Sequence, residues 1–310
     1  MPRKPRLDSP GLLQHVIVRG IERRDIFLDD EDRRGFLARL SRLFQETGTD
    51  CFAWALIPNH GHLLLRCRQV TLPRFMRRLL TGYAVTFNRR HNRSGHLFQN
   101  RYKSIVCQED SYLLELIRYI HLNPLRAGLV ENLSELESYP WCGHATLLNR
   151  RPFGGQAQGE VLAYFDKRNS VARQRYRQFV ADGVAMGRRP ELVGEDLRME
   201  RTDETGTDEI GEYDDRILGD GDFVRHLRQQ KELQERLPPR VELPDLQAKV
   251  SALFGLAPEA IIRRGRANAV SEARAVLCYW ATVKMGVPGS RVGTLLGMGS
   301  SSIVGARGRS

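Results

Sequence analysis

Apolar positions in the first part of the chain change period several times, and each change marks an element. Leu12 to Ile21 (LLQHVIVRGI) alternates around β-branched residues and predicts a strand. From Asp29 to Gly48 the apolar positions Phe36, Leu37, Leu40, Leu43 and Phe44 recur at helical spacing behind an acidic start, and the glycine marks the stop. Cys51 to Ile57 predicts a second strand, Pro58-Asn59 a turn, and His60 to Arg66 a third strand. Thr71 to about Asn92 reads as a long helix with Leu72, Phe75, Met76, Leu79, Leu80, Tyr83 and Phe87 on one face. Its other face carries Arg74, Arg77, Arg78, Arg89 and Arg90. Gly95 to Gln108 supplies a turn and a further strand, and Asp110 is the expected N-cap of a helix running to Asn123, where Pro124 stops it. The order β-α-β-β-α-β-α predicts an α+β fold, a ferredoxin-like antiparallel sheet with helices on one face.

After Tyr139-Pro140-Trp141 the pattern changes. Residues 151–190 read as helical and basic. Between Glu195 and Asp222 twelve acidic residues face three basic ones and glycines break any period, which predicts a solvated linker or acidic flap, with a DNA-mimicking segment as the functional alternative. From Pro244 a helical block returns: Asp245–Phe254, Pro258–Arg263 and Ser271–Met285, then Ser290–Leu296 and Ser300–Ala306 about a Gly297-Met298-Gly299 turn. Two short helices about a glycine-containing turn are a generic helix-turn-helix signature. Three parts are therefore expected: a domain at 1–150, a helical and acidic linker region at 151–240, and an all-α domain at 241–310.

Composition narrows the partners. The chain has 310 residues, 41% hydrophobic and 27% charged, as soluble globular proteins do, with a net charge of +11 that points to a polyanion, nucleic acid before an anionic membrane. No run of about 18 apolar residues is present to span a bilayer, and the basic start (MPRKPR) has no apolar stretch behind it to act as a secretory signal. The five cysteines are scattered and never spaced Cys-x-x-Cys, which fits a reduced, cytoplasmic protein without a zinc site.

The candidate chemistry centres on IPNHGHLLLR, residues 57–66. On a strand, residues two apart point the same way, so His60 and His62 converge on one point. That suits a phosphate or a divalent metal whose coordination is completed by oxygens, although a lone His-x-His pair is more often structural. From Arg66 to Lys103 there are ten Lys and Arg residues and no Asp or Glu, interleaved with Phe75, Tyr83, Phe87, Phe98 and Tyr102. Such a stretch fits a surface that neutralises phosphates, the aromatics at helical spacing being core. Tyr119 and Asn123 lie four apart on one helical face. A tyrosine there would serve as nucleophile and the amide oxygen as a third metal ligand, or Tyr119 is simply core. Tyr83, Tyr102, Tyr112 and Tyr139 are the competing nucleophiles, none with a ligand-type residue one turn away in a comparable motif.

The two stretches IPNHGHLLL (57–65) and YIHLNPLRAGLV (119–130), in this order, resemble the REP-associated tyrosine transposases, relatives of the single-tyrosine insertion-sequence transposases in the HUH (His-hydrophobic-His) nuclease superfamily. GHLFQNRYK (95–103) and Tyr139-Pro140-Trp141 add to the likeness, which spans roughly residues 5–150. One departure is Gly61, in the hydrophobic place between the histidines; it leaves the ligands intact and predicts looser packing beneath the strand. The resemblance implies that His60, His62 and Asn123 hold Mg²⁺ or Mn²⁺. It implies also that Tyr119 attacks phosphorus to leave a 5′-phosphotyrosine and a free 3′-OH. It implies single-stranded DNA near imperfect hairpins as substrate, with Arg74, Arg77, Arg78 and Lys103 as strand contacts chosen on charge alone. The C-terminal block resembles the DNA-binding domain of the replication initiator DnaA, from Ile262-Arg-Arg-Gly-Arg266 through Ala273-Arg274 to the terminal helices. Ser300, Ser301 and Ser302 depart from that family's base-reading residues, so duplex binding through Arg263, Arg264, Arg266 and these serines is expected without the initiator's sequence preference.

The reading is a metal-dependent single-strand DNA endonuclease and strand-transferase acting as a monomer or homodimer. The rivals are a catalytically silent regulator that recognises hairpin or repeat DNA, for which the intact His60, His62, Tyr119, Asn123 set is superfluous, and an RNA-binding module, for which no RNP-type aromatic pattern is present.

Overall fold

The strand Leu13–Arg19 (β1) lies near the middle of a sheet whose other members come from widely separated parts of the chain. The computed structural model describes residues 5–99, 101–187, 189–193, 214, 216–233, 236–237, 243–262, 268–285, 287 and 289–297. Asp30–Thr47 (α1) follows β1, capped by the Asp29 carboxylate, which accepts from the amides of Glu31 and Asp32, and closed by Gly48 at φ 57°. Asp50–Ile57 (β2) and His60–Arg66 (β3) form the predicted hairpin, and Leu72–Arg90 (α2) the long basic helix, with a proline in its first turn. Lys103–Cys107 (β4) and Glu109–His121 (α3) come next; the N-cap of α3 is Gln108, two residues before the expected Asp110. The sheet order is β2-β3-β1-β4 with every pair antiparallel, and Ile217–Leu218 (β5) adds in parallel to β4 at the edge.

Helices cover both faces of this sheet, where one face was expected. On one face Val16, Val18, Trp54, Leu56, Leu63 and Leu65 pack with Phe36 and Leu40 of α1 and with Phe75, Leu79, Tyr83 and Phe87 of α2. On the other, Leu13, Phe52, Ala55, Leu64 and Ile105 pack with Leu113, Leu116, Ile117 and Ile120 of α3. The physical reason lies in β2 and β3. Their near-continuous apolar runs, CFAWALI and LLL, are buried on both sides, and a strand with one wet face would alternate.

Short helices Asn123–Arg126 (α4), Leu133–Ser138 (α5) and Gly143–Leu147 (α6) follow α3. Gln158–Ala163 (α7) and Asn169–Asp182 (α8) then bring Val161, Leu162, Ala172, Tyr176 and Val180 into the α3-side core. The acidic stretch lies largely outside the described residues, but its end forms β5, and Gly221–Gln229 (α9) packs Val224 and Leu227 around Val106 and Ile217. By contacts the chain divides into units 1–237 and 238–310. The second unit holds Leu243–Leu253 (α10), Pro258–Ile262 (α11), Asn268–Tyr279 (α12) and Gly289–Leu296 (α13) about a core of Val250, Ile261, Leu277, Cys278, Val292 and Leu296. The expected second helix of the helix-turn-helix, with Ser300, Ser301 and Ser302, lies outside the described residues, as do Arg263, Arg264 and Arg266. Among the described residues no helix is long and apolar enough to cross a membrane, and all five cysteines are buried free thiols.

Candidate active site

Strand alternation and the β1–β3 register build the site. His60 pairs opposite Arg19 and His62 opposite Ile17, and directly opposed antiparallel residues share a face. His60, His62, Arg19 and, four residues earlier on β1, His15 therefore all face α3. That helix delivers Tyr119: its ring meets the His62 ring edge-on with centroids 6.0 Å apart at 79°, and the His15 ring at 6.1 Å and 73°. The rings of His60 and His62 are 5.1 Å apart. The two histidines and the tyrosine singled out from sequence are thus brought together. Among the described tyrosines Tyr119 is the one whose ring meets these histidines. Tyr83 belongs to the opposite face, where its hydroxyl donates to the Ile26 carbonyl at 2.5 Å, and Tyr102 is buried on that face as well.

Asn123 sits one turn beyond Tyr119, half-buried, and its amide nitrogen donates to the Tyr119 carbonyl at 3.1 Å. With the NH₂ group engaged, the side-chain oxygen is the atom left to meet a cation. Three residues bearing on this face were missed by the sequence reading. His15 is fully buried and hydrogen-bonded to His62 at 3.0 Å. Arg19 stands beside His60. Arg126, from α4, places its guanidinium 5.3 Å from the centre of the Tyr119 ring. One of its nitrogens, Nη1, is buried without a hydrogen-bond partner among the described residues.

The electrostatics keep these imidazoles neutral. Burial pushes His60 down to about 4, with the Arg19 charge adding to it. Burial lowers His62 well below the usual histidine range, helped by His15, His60 and Arg19. His15 is pushed down to about 4, again chiefly by burial. Neutral imidazole is the form that ligates a metal. His60 is also oriented for it: its Nδ1 lies 2.6 Å from the Asn59 side-chain oxygen, which can only accept, so Nδ1 carries the hydrogen and Nε2 the lone pair. Among the described residues no three His, Cys, Asp or Glu side chains are grouped to hold a metal ion. The donor set on offer is two imidazoles with the Asn123 amide oxygen as the third candidate, a set that leaves positions for phosphate and water oxygens.

Position 61 does not pack loosely. A β-carbon there would lie 3.3 Å from Val18 Cγ2 and 3.6 Å from Leu56 Cδ2, so the neighbours have closed over the glycine. The expected strand contacts separate into two places. Lys103 starts β4 opposite Ile17, on the α3 side, with its ammonium donating to the Val193 carbonyl. Arg74, Arg77 and Arg78 are exposed on α2, on the other side of the sheet from Tyr119. Arg77 and Arg78 line a groove there with Arg39 and Arg42 of α1.

A comparison with curated proteins gave no match. Among solved structures, one described as a REP-associated tyrosine transposase bound to a REP hairpin is similar at a TM-score of 0.40 and 16% identity, over 49% of this chain and 89% of that one. The family model described as "Transposase IS200 like" matches residues 9–123, a span that opens just before β1 and ends on Asn123. Residues 9–123, with the histidine pair and Tyr119 inside them, are similar to the IS200-like transposase family.

Proposed function

We propose that this domain is a metal-dependent single-strand DNA endonuclease and strand-transferase that cuts near hairpin DNA through a tyrosine-linked intermediate. The observation that carries the reading is the approach of the Tyr119 ring to His62 at 6.0 Å, with Asn123 four residues on at the start of α4. His60, His62 and Asn123 would hold Mg²⁺ or Mn²⁺, which when bound supplies charge to polarise the scissile phosphate. Tyr119 Oη attacks phosphorus, forming the O–P bond as the P–O3′ bond breaks. The phenolic proton is lost, the departing 3′-oxygen takes up a proton, and the 5′-phosphate stays on the enzyme. Because the phosphoester is conserved, attack by a 3′-OH reverses the step without ATP.

Phenol is a poor nucleophile near neutrality, with an ordinary pKa near 10. Arg126 over its ring favours the phenolate, and the partnerless Nη1 of the same guanidinium offers a donor to the phosphate. Arg19 adds positive charge beside His60. Arg74, Arg77 and Arg78, on the far side of the sheet, would hold a different part of the DNA from the phosphate being cut. The C-terminal helical unit would bind duplex DNA.

The test is a denaturing gel with labelled single-stranded hairpin DNA and Mg²⁺ or Mn²⁺. The expected result is a covalent protein–DNA adduct for wild type that disappears with EDTA and with Tyr119→Phe. Binding across a range of hairpins with no adduct from wild type would replace this reading with that of a silent DNA-binding regulator. An adduct that persists in Tyr119→Phe would assign the nucleophile to another tyrosine.

A further inference from the structure

His15 takes no part in the chemistry above, yet it is fully buried against His62, the two rings stacked at 5.2 Å and 26°. Its Nδ1 lies 3.1 Å from the carbonyl oxygen of Leu192. A carbonyl only accepts, so His15 Nδ1 carries a hydrogen. A fully buried imidazole that meets no carboxylate among the described residues is neutral and has one ring hydrogen. His15 Nε2 is therefore a bare acceptor. It lies 3.0 Å from Nδ1 of His62. Two bare nitrogens at that distance would repel, so His62 Nδ1 bears the hydrogen and its Nε2 keeps the lone pair.

His60 reaches the same state by a shorter route. The Asn59 side-chain nitrogen donates to the Arg23 carbonyl at 3.2 Å, which fixes the amide's orientation and turns its oxygen to His60 Nδ1. Both histidines of the pair thus present Nε2, each through a different hydrogen-bonding partner. A free neutral imidazole favours hydrogen on Nε2, so the tautomer here is one the fold imposes.

We propose that His15 is a positioning residue: the relay from the Leu192 carbonyl through His15 selects the Nδ1–H tautomer of His62 and keeps its Nε2 free to ligate a divalent cation. The ligand role rests on the function proposed above; the tautomer does not. The relay also ties the site to a segment outside the family-matched residues 9–123. Leu192 belongs to the helical turn Pro190–Val193, is itself 1% exposed, and its neighbour Val193 accepts from Lys103. A turn beyond the family domain therefore closes the back of the site.

The experiment uses the full chain, ¹⁵N-labelled and metal-free. Long-range ¹H–¹⁵N correlation of the histidine rings reads which nitrogen of His62 bears hydrogen, and Mn²⁺ titration of the same samples reads affinity. Wild type should show His62 protonated on Nδ1. His15→Phe keeps a ring but offers no acceptor. It should move His62 toward the Nε2–H form and weaken Mn²⁺ binding on the order of 10- to 100-fold, as removal of such outer partners does. His15→Gln, which can accept from His62 and donate to Leu192, should keep the wild-type tautomer and most of the affinity. Hydrogen on His62 Nε2 in folded wild type overturns the proposal, a result that needs no variant to fold. So does a folded His15→Phe that binds Mn²⁺ as tightly as wild type. The Nδ1–H form in a wild-type protein that binds no Mn²⁺ supports the relay and overturns the cation reading instead.

Discussion

Two places in this molecule bring buried histidines to a tyrosine. In the first, His15 and His62 meet Tyr119 by their ring edges, and Tyr119 and His60 are half-buried. In the second, His121 and His144 each place Nδ1 on the hydroxyl of Tyr176, at 2.7 and 2.6 Å. Tyr176 is 0% exposed and sealed by Phe165 and the α8 packing. A hydroxyl has one hydrogen to give, so one of these histidines donates and the other accepts. Burial pushes the Tyr176 phenol well above its usual range and His144 down to about 4. The same residue types therefore make opposite things. Tyr176 has its oxygen fixed between two imidazoles in a closed core, where it is a structural cross-brace. Tyr119 lies half-open beside two histidines whose nitrogens are oriented by Asn59 and His15. On the function proposed above, composition does not separate a nucleophile from a brace; the burial of the ring and its surroundings do.

The sharpest way to break that contrast is to remove each hydroxyl in turn. Tyr119→Phe should abolish the DNA adduct and leave the thermal melt close to wild type. Tyr176→Phe should leave the adduct chemistry intact below its melting point, while stability falls by about 2–4 kcal/mol, because two buried ring nitrogens lose their partner at once. Urea melts of both variants beside the gel assay check this. Loss of adduct in a folded Tyr176→Phe would place the second cluster in the chemistry.

What the sequence could carry follows the same line. His60 with His62 was legible because the pair lies within one strand at its two-residue period, and Tyr119 with Asn123 because the helical spacing of four carries across the join of α3 and α4. His15 and Arg19 were not. Both lie on β1, whose pattern marks no pair at a chemical spacing, and only the β1–β3 register, with Arg19 opposite His60, brings them to the site. Arg126 is the last residue of α4, and its position over the Tyr119 ring depends on how that short helix packs after α3. Charge marked Arg74, Arg77 and Arg78 as surface but could not say on which side of the sheet. The two-sided burial was present in CFAWALI and LLL, since neither run alternates.

Acid should destabilise both clusters, since burial lowers His15, His60 and His62 as well, and a substitution at His144 isolates the share of the sealed one. His144 is 1% exposed and faces Tyr176, His121 and Arg177, with Glu137 on the same groove. Its folded value of about 4 lies below the 6.5 of an unfolded chain, so the unfolded state binds the extra proton first. Stability from this group is complete above about pH 6.5 and falls as the pH drops toward 4, by on the order of 3 kcal/mol for one such histidine. Melting temperatures at pH 8, 6 and 5 should decline accordingly. His144→Gln, which cannot take up the proton, should show a shallower decline; an unchanged slope would remove His144 from the account.

The smallest effect sharpens the open cluster, through a group the sealed one lacks. Arg126 lies over the Tyr119 ring, and its partial burial lowers its own pKa although the phenol opposes that. An arginine half withdrawn from water, with Nη1 buried and unpartnered, is held at a cost that pairing with an anion would offset. Its two candidate anions are the Tyr119 phenolate and the phosphate. Arg126→Gln keeps a hydrogen-bonding side chain and removes the charge. Adduct formation should slow about tenfold, equivalent to roughly 1.4 kcal/mol of transition-state stabilisation. If the charge acts on the phenolate, raising the pH should recover part of the lost rate. If it acts on the phosphate, the deficit should persist across pH and appear also as weaker binding of uncut DNA by Tyr119→Phe carrying the same substitution. A rate equal to wild type at every pH would leave Arg126 as packing for the ring and nothing more.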